Sequence, residues 1–139
     1  MSATTLKVNV ADVMRKDFVV VDGMESVAGA LATMVEKNLE VVFVAKRSDA
    51  DEYGMLSLAT IVHDVLAINR PSQRINVYEI MVKPVIAVHA AMNIRYCARL
   101  FSNANIHAAP VIAGGEIIGL VTHRQLAAGY AGMRTSDTE

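Results

Sequence analysis

Val10-Ala-Asp-Val-Met14 and Val77-Tyr-Glu-Ile-Met81 are the same phrase written twice, 67 residues apart. Internal repeats decide an architecture before any local reading does. The same step superposes Lys16 on Lys83, Val21 on Val88, Asn38 on Asn105 and Val44 on Val111. Conservative pairs fill the gaps: Asp12 with Glu79, Val27 with Ile94, Met34 with Phe101, Leu39 with Ile106. Further along, Gly54-Met-Leu-Ser57 meets Gly119-Leu-Val-Thr122 at a step of 65. The first copy therefore carries two extra residues, in the polar stretch 46–53. A register held over most of a repeat, with one length change in a polar loop, marks a duplication.

Each copy reads as a βαββα unit, so the fold class is α/β of the α+β kind. Phe18-Val-Val-Val21 and Val85-Ile-Ala-Val88 are short runs rich in β-branched residues, hence strands. Ser26 and Asn93 follow at aligned positions, and both types cap helices by accepting from an orphan backbone N–H. After Ser26 the apolar residues Val27, Ala30, Leu31, Met34 and Val35 trace one helix face; Ile94, Cys97, Ala98 and Phe101 do so after Asn93. Asn38 and Asn105 stand where a left-handed residue closes a helix. The runs Val41-Val-Phe-Val-Ala45 and Ala108-Ala-Pro-Val-Ile-Ala113 suit strands covered on both faces. Gly114-Gly115 then predicts a tight hairpin into Glu116-Ile-Ile-Gly-Leu-Val121, where the first copy has its longer loop. Leu58, Ile61, Val62, Val65 and Leu66 space a second helix, and 126–130 a shorter one.

These readings divide the chain into a first unit at 8–68, a linker at 69–74 around Pro71, a second unit at 75–131 and a tail at 132–139 expected to be disordered. A unit of about 60 residues is marginal alone. The two are therefore expected to pack sheet to sheet with pseudo-twofold symmetry and crevices between them.

Composition narrows the function. A hydrophobic fraction of 53% against 19% charged supports a large core and excludes a compositionally disordered chain. With 13 basic and 14 acidic residues there is no basic excess, so nucleic-acid binding is not expected. Cys97 stands alone, which rules out an intramolecular disulfide; its place on the apolar helix face reads as a buried thiol. No apolar run approaches the roughly 20 residues of a membrane span, and the first ten residues lack a secretory pattern. A soluble cytoplasmic protein without membrane partners is expected. The histidines at 63, 89, 107 and 123 fall at no metal-ligand spacing, and no phosphate-binding loop or nucleophile elbow occurs. Catalytic residues and a metal site are therefore assigned to none, and the chain is not expected to be an enzyme. Asp49, Asp51 and Glu52 read as a solvated hairpin loop.

The motif order (I/V-x-x-V/I-M, strand, capped helix, V/P-V strand, then G-h-h-T/S into a helix) resembles the CBS domain, and two in tandem resemble a Bateman module. The second copy is the nearer match, through Met81-Val-Lys-Pro84, Ala109-Pro-Val111 and Gly119-Leu-Val-Thr-His-Arg124. The resemblance covers about 10–130 and implies a stand-alone regulatory pair. Such pairs bind adenosine-containing ligands (AMP, ADP, ATP or S-adenosylmethionine) in the clefts between copies, require no cofactor, and dimerise into four-domain discs that modulate a partner protein. The alternative is a pair that binds no ligand and serves dimerisation or protein interaction.

The resemblance also implies a site. The family motif G-h-x-T/S-x-x-D places a hydroxyl and helix amides toward a phosphate, and a carboxylate toward two ribose hydroxyls. Here the second copy supplies Thr122, His123, Arg124 and Gln125, and the first supplies Ser57 and Thr60. Both hydroxyls are present and both aspartates are replaced, by Gln125 and Thr60. Val85, Ala87, Ile106, His107 and Ala109 would wall the base, and Lys83 would meet a phosphate. Competing readings stand beside these: plain N-capping for Ser57 and Thr122, ordinary core for Val85, Ile106 and Ala109, and a shared structural role for Lys83 and Lys16.

Overall fold

The computed structural model describes residues 8–137. In chain order the elements are α1 (Val10–Val13), β1 (Val20–Val21), α2 (Val27–Glu36), β2 (Val41–Val44), β3 (Gly54–Ser57) and α3 (Leu58–Ile61), which continues as a π-helical stretch, Val62–Leu66. Two 3-10 turns (Ser72–Arg74 and Val77–Glu79) follow, then α4 (Ile94–Ala104), β4 (Ala108–Ala113), β5 (Glu116–Thr122) and α5 (His123–Asp137). The α+β class and the doubled βαββα order are those expected.

The two bodies share one register. β1 lies parallel to β2 with Val21 opposite Val44, and β2 is antiparallel to β3 with Val41 opposite Ser57. In the second body Val88 bridges Val111 in parallel, and β4 runs antiparallel to β5 with Ala108 opposite Thr122. The two parallel contacts are the very pairs that the 67-residue step superposes. The strand expected over 85–88 contracts to Val88, and that over 18–21 to its last two residues. The reason lies just upstream. Val82 already pairs with Met55, so the short stretch to Val88, which holds Pro84 with no N–H to donate, is spent moving from one unit to the other.

The chain forms two compact units whose limits are not those of the repeats. One is Phe18–Val85; the other joins the segment ending at Asp17 to the segment beginning at Ile86. Each unit thus combines the body of one copy with the opening segment of the other. Asn9 bridges Asn93 and Arg15 bridges Leu120; symmetrically, Asn76 bridges Ser26 and Val82 bridges Met55. Val10 donates its N–H to Met92 O and Val77 donates its N–H to Glu25 O, each at 2.8 Å. Both valines are fully buried. The repeated phrase is therefore a docking segment, and its valine is the plug.

Its methionine has a matching seat. A Cβ on Gly119 would lie 2.5 Å from the Met14 sulfur, and one on Gly54 would lie 2.7 Å from the Met81 sulfur. The glycine of the G-h-h-T/S motif is small because the opening methionine crosses it. Met34, by contrast, sits in the core with no exposure.

The helix faces are narrower than the spacing predicted. Val27, Ala30 and Met34 are buried, and so are Ile94, Cys97 and Phe101; Val35 is 70% exposed and Ala98 points outward. A sheet of two or three short strands covers one stripe of a helix, at i, i+3 and i+7. In α3 and its π continuation Ile61 and Val65 are buried while Val62 and Leu66 are exposed. Asn38 and Asn105 both adopt φ of 55°, as expected, and Leu39 and Ile106 then donate back to Met34 O and Phe101 O. The last helix runs on to Asp137, past position 131 where the second unit was expected to end. Residues 138 and 139 of the expected tail lie outside those described.

Candidate functional site

Both strand-to-helix junctions place a hydroxyl residue on the last strand position, where the backbone leaves the sheet and the next helix begins. Their chemistry then diverges. Ser57 Oγ accepts from Thr60 N at 3.1 Å and donates to Thr60 Oγ1 at 3.2 Å. Thr122 Oγ1 accepts from Arg124 N at 3.2 Å and donates to Gln125 Oε1 at 2.6 Å. Gln125 Oε1 also accepts from Thr122 N at 2.8 Å. The second junction is thus a Thr-x-x-Gln capping box in which the threonine oxygen takes the amide two residues on, that of Arg124. N-capping holds at both positions, and at both the hydroxyl also donates to the side chain three residues on.

Seven of the twelve candidate residues gather at this end of the second body. Ala109 is buried in β4 opposite Val121, and Ile106 packs half-buried against the core. His107 precedes β4, and His123 and Arg124 open α5, all three exposed. The rings of His107 and His123 meet edge to face with centroids 5.2 Å apart, and His123 lies 5.8 Å from Phe101. Their meeting follows from the hairpin. Ala108 pairs with Thr122, so the residues just outside that pair become neighbours. Sequence reading treated the two histidines singly. The step that aligns them is the register shift between Val111 and Ile112, which no residue type announces. Ala87 also belongs to this unit and is exposed.

The other four belong to the Phe18–Val85 unit: Ser57, Thr60, Val85 and Lys83. Lys83 does not stand open. Its ammonium sits 2.7 Å and 2.8 Å from the two carboxylate oxygens of Asp51, on the loop that only the first copy has. Asp51 also accepts from Arg47 N at 2.8 Å. The Lys83 hydrogen bond, then the backbone donors of Arg47 and Glu52, hold the Asp51 carboxyl well below the usual carboxylate range. The aligned Lys16 is exposed. A cavity of about 460 Å³ on this unit, lined by His63, Asp64, Arg70 and Glu79 among others, includes none of the candidate residues. Cys97 is fully buried, and desolvation pushes its thiol up to about 11, which leaves it protonated and unreactive at neutral pH.

Two such bodies, each closing a short sheet on a capped helix and each holding the opening segment of the other copy, define a tandem pair of one small α+β domain, and the comparisons agree. The CBS domain model matches residues 10–66 and again 77–132. The hexameric CBS-CP12 protein from bloom-forming cyanobacteria is 32% identical over 87% of this chain and 71% of its own, with a TM-score of 0.85. A putative signal-transduction protein with CBS domains from Burkholderia ambifaria is 24% identical over 94% of this chain and 93% of its own, with a TM-score of 0.76. A CBS domain pair solved in complex with 5′-methylthioadenosine and S-adenosyl-L-methionine is 21% identical over 87% of this chain and 98% of its own, with a TM-score of 0.75. Among curated proteins none matches. The chain belongs to the CBS domain family and carries two tandem CBS units. Among the described residues no helix is long and apolar enough to cross a membrane.

Proposed function

We propose that the chain is a non-catalytic regulatory sensor that binds an adenosine-containing ligand, of the AMP, ADP, ATP or S-adenosylmethionine class, and modulates a partner protein. The observation that carries this reading is the second strand-to-helix junction: Thr122, Gln125, Arg124, His123 and His107 converge on one end of a CBS unit beside the half-buried Ile106, while Ala109 belongs to the core beneath. The solved pair that holds two adenosine derivatives supports the ligand class. Binding changes the protein only as far as the ligand prefers one conformational state over another, so the sensing step requires differential affinity. In this reading the protein is a cytoplasmic homodimer of four CBS units, and the hexameric relative supports self-association.

Isothermal titration of the full chain with AMP, ADP, ATP and S-adenosylmethionine tests it. Saturable heat for at least one, weakened by Thr122→Val, supports the sensor. Silence for all four at millimolar ligand favours the second reading, an assembly module without a ligand. That reading draws on one observation: both hydroxyls are already engaged within their own junctions.

A further inference from the structure

The geometry at Gln125 names the ligand class more closely, and this step rests on the nucleotide reading above. Gln125 stands three residues after Thr122, where an aspartate would accept hydrogen bonds from a ribose diol. Its oxygen is not available for that. Oε1 takes the Thr122 N–H at 2.8 Å and the Thr122 hydroxyl at 2.6 Å. A backbone N–H bonds only an acceptor, so the oxygen must face into the junction and the amide nitrogen outward. That nitrogen carries two N–H groups and no lone pair to offer. The same junction carries further donors: the exposed guanidinium of Arg124, next in sequence, and the mutually contacting His107 and His123 rings, each bearing at least one N–H. No acidic residue occurs in 105–113 or 117–130. This end therefore offers donors where the motif's aspartate would offer a charged acceptor, and a diol there loses the partner for its own O–H groups.

We propose that the ligand is an adenosine nucleotide carrying a phosphate ester on the ribose ring itself, at the 2′ or 3′ oxygen, in place of a free diol. Such a phosphate presents only acceptors. Gln125 Nε2 and Arg124 would bond it, and bonds to an ionised oxygen are the stronger kind.

Titration of the full chain with adenosine 2′,5′-bisphosphate, adenosine 3′,5′-bisphosphate and ADP tests this, because all three carry two phosphates and only ADP keeps the diol. At least one ring-esterified ligand is expected to bind about tenfold tighter than ADP. Gln125→Glu keeps the capping box, since a carboxylate oxygen accepts from Thr122 as the amide oxygen does, but turns an acceptor outward. In that variant, checked for an unchanged melting temperature, the preference is expected to reverse toward ADP. Equal or tighter binding of ADP to the wild type overturns the proposal, as does an unchanged preference in Gln125→Glu. If the nucleotides bind without discrimination, only this inference falls. If none binds, the sensor reading fails and takes it along.

Discussion

The two CBS bodies keep the same backbone register but finish their hairpins in different ways. The second turns on Gly114 and Gly115, both at positive φ, and ends in a junction rich in donors. The first spends eight residues, 46–53, on a loop whose Asp51 clasps Lys83, and ends in a junction closed by two short hydroxyls. The positions that agree between copies include those that seat the opening segment: the plug valine, the methionine and the glycine beneath it. The positions that differ lie at the hairpin tip and the helix start. Duplication fixed the scaffold in both halves and left the ends free to diverge, so the second body is the one to search for a ligand.

The exchange of opening segments gives the sharpest way to break this comparison. Val10, Val13 and Met14 pack on the body that begins at Ile86, far along the chain. Deleting residues 1–15 should therefore unfold the second body and spare the first. Losing the fully buried Val10, at roughly 1.5–3 kcal/mol, together with the partly buried Val8, Val13 and Met14 removes a large share of the 5–15 kcal/mol that holds an ordinary domain. Amide exchange read residue by residue decides it: protection should collapse across 86–132 and persist across 18–66. Loss confined to the residues next to the cut would break the exchanged arrangement.

The glycine seats test the same symmetry at smaller amplitude. Gly119→Ala should cost about 1–3 kcal/mol, the range for overpacking. Gly54→Ala should cost less, since a Cβ there meets one methionine atom closely where Gly119 meets three. Met14→Ala should offset Gly119→Ala but leave Gly54→Ala unrelieved. Denaturant unfolding of the single and double variants measures the coupling.

Much of this was legible beforehand. The repeat, the caps at Ser26 and Asn93, and the two left-handed asparagines all follow from residue type at fixed spacing. The partner of each opening segment was not. A copy aligned with itself says which residues are equivalent and nothing about which body they dock on. The site was legible as a set of residues, not as a geometry. The register shift at Val111 brings His107 to His123, and the tie between Thr122 and Gln125 depends on which end of an amide turns inward. The Lys83 pairing was hidden for another reason: Asp51 is 32 residues away, on a loop without a counterpart to align with.

Capping sets the next scale down. Ser57→Ala and Thr122→Val each remove a side-chain acceptor from a helix N-terminus, worth about 1 kcal/mol. Each also strips a hydroxyl donor from the side chain three residues on, and Thr122→Val should cost more than Ser57→Ala because the bond lost to Gln125 Oε1 is 2.6 Å against 3.2 Å to Thr60 Oγ1. Thermal melts of the two variants rank them, and equal shifts would show the junctions to be energetically alike.

The smallest effect lies in the clasp that only the first body has. Lys83 and the backbone donors hold Asp51 below its ordinary value, so its ionised form is bound more favourably in the folded chain than in the unfolded one. The clasp is then fully present above the ordinary carboxylate pKa, about 3.9, and its contribution falls away as pH drops below that. The pair is partly open to solvent, which keeps the effect local. Side-chain carboxyl shifts followed by NMR should show Asp51 still ionised below the ordinary carboxylate pKa of about 3.9. Amides of 46–53 should lose protection only at the acid end, and Asp51→Asn should remove that dependence while leaving the Gly114-Gly115 turn untouched. An Asp51 that titrates at the ordinary carboxylate value would mean that the extra loop is not fastened, and the two hairpins would differ in length alone.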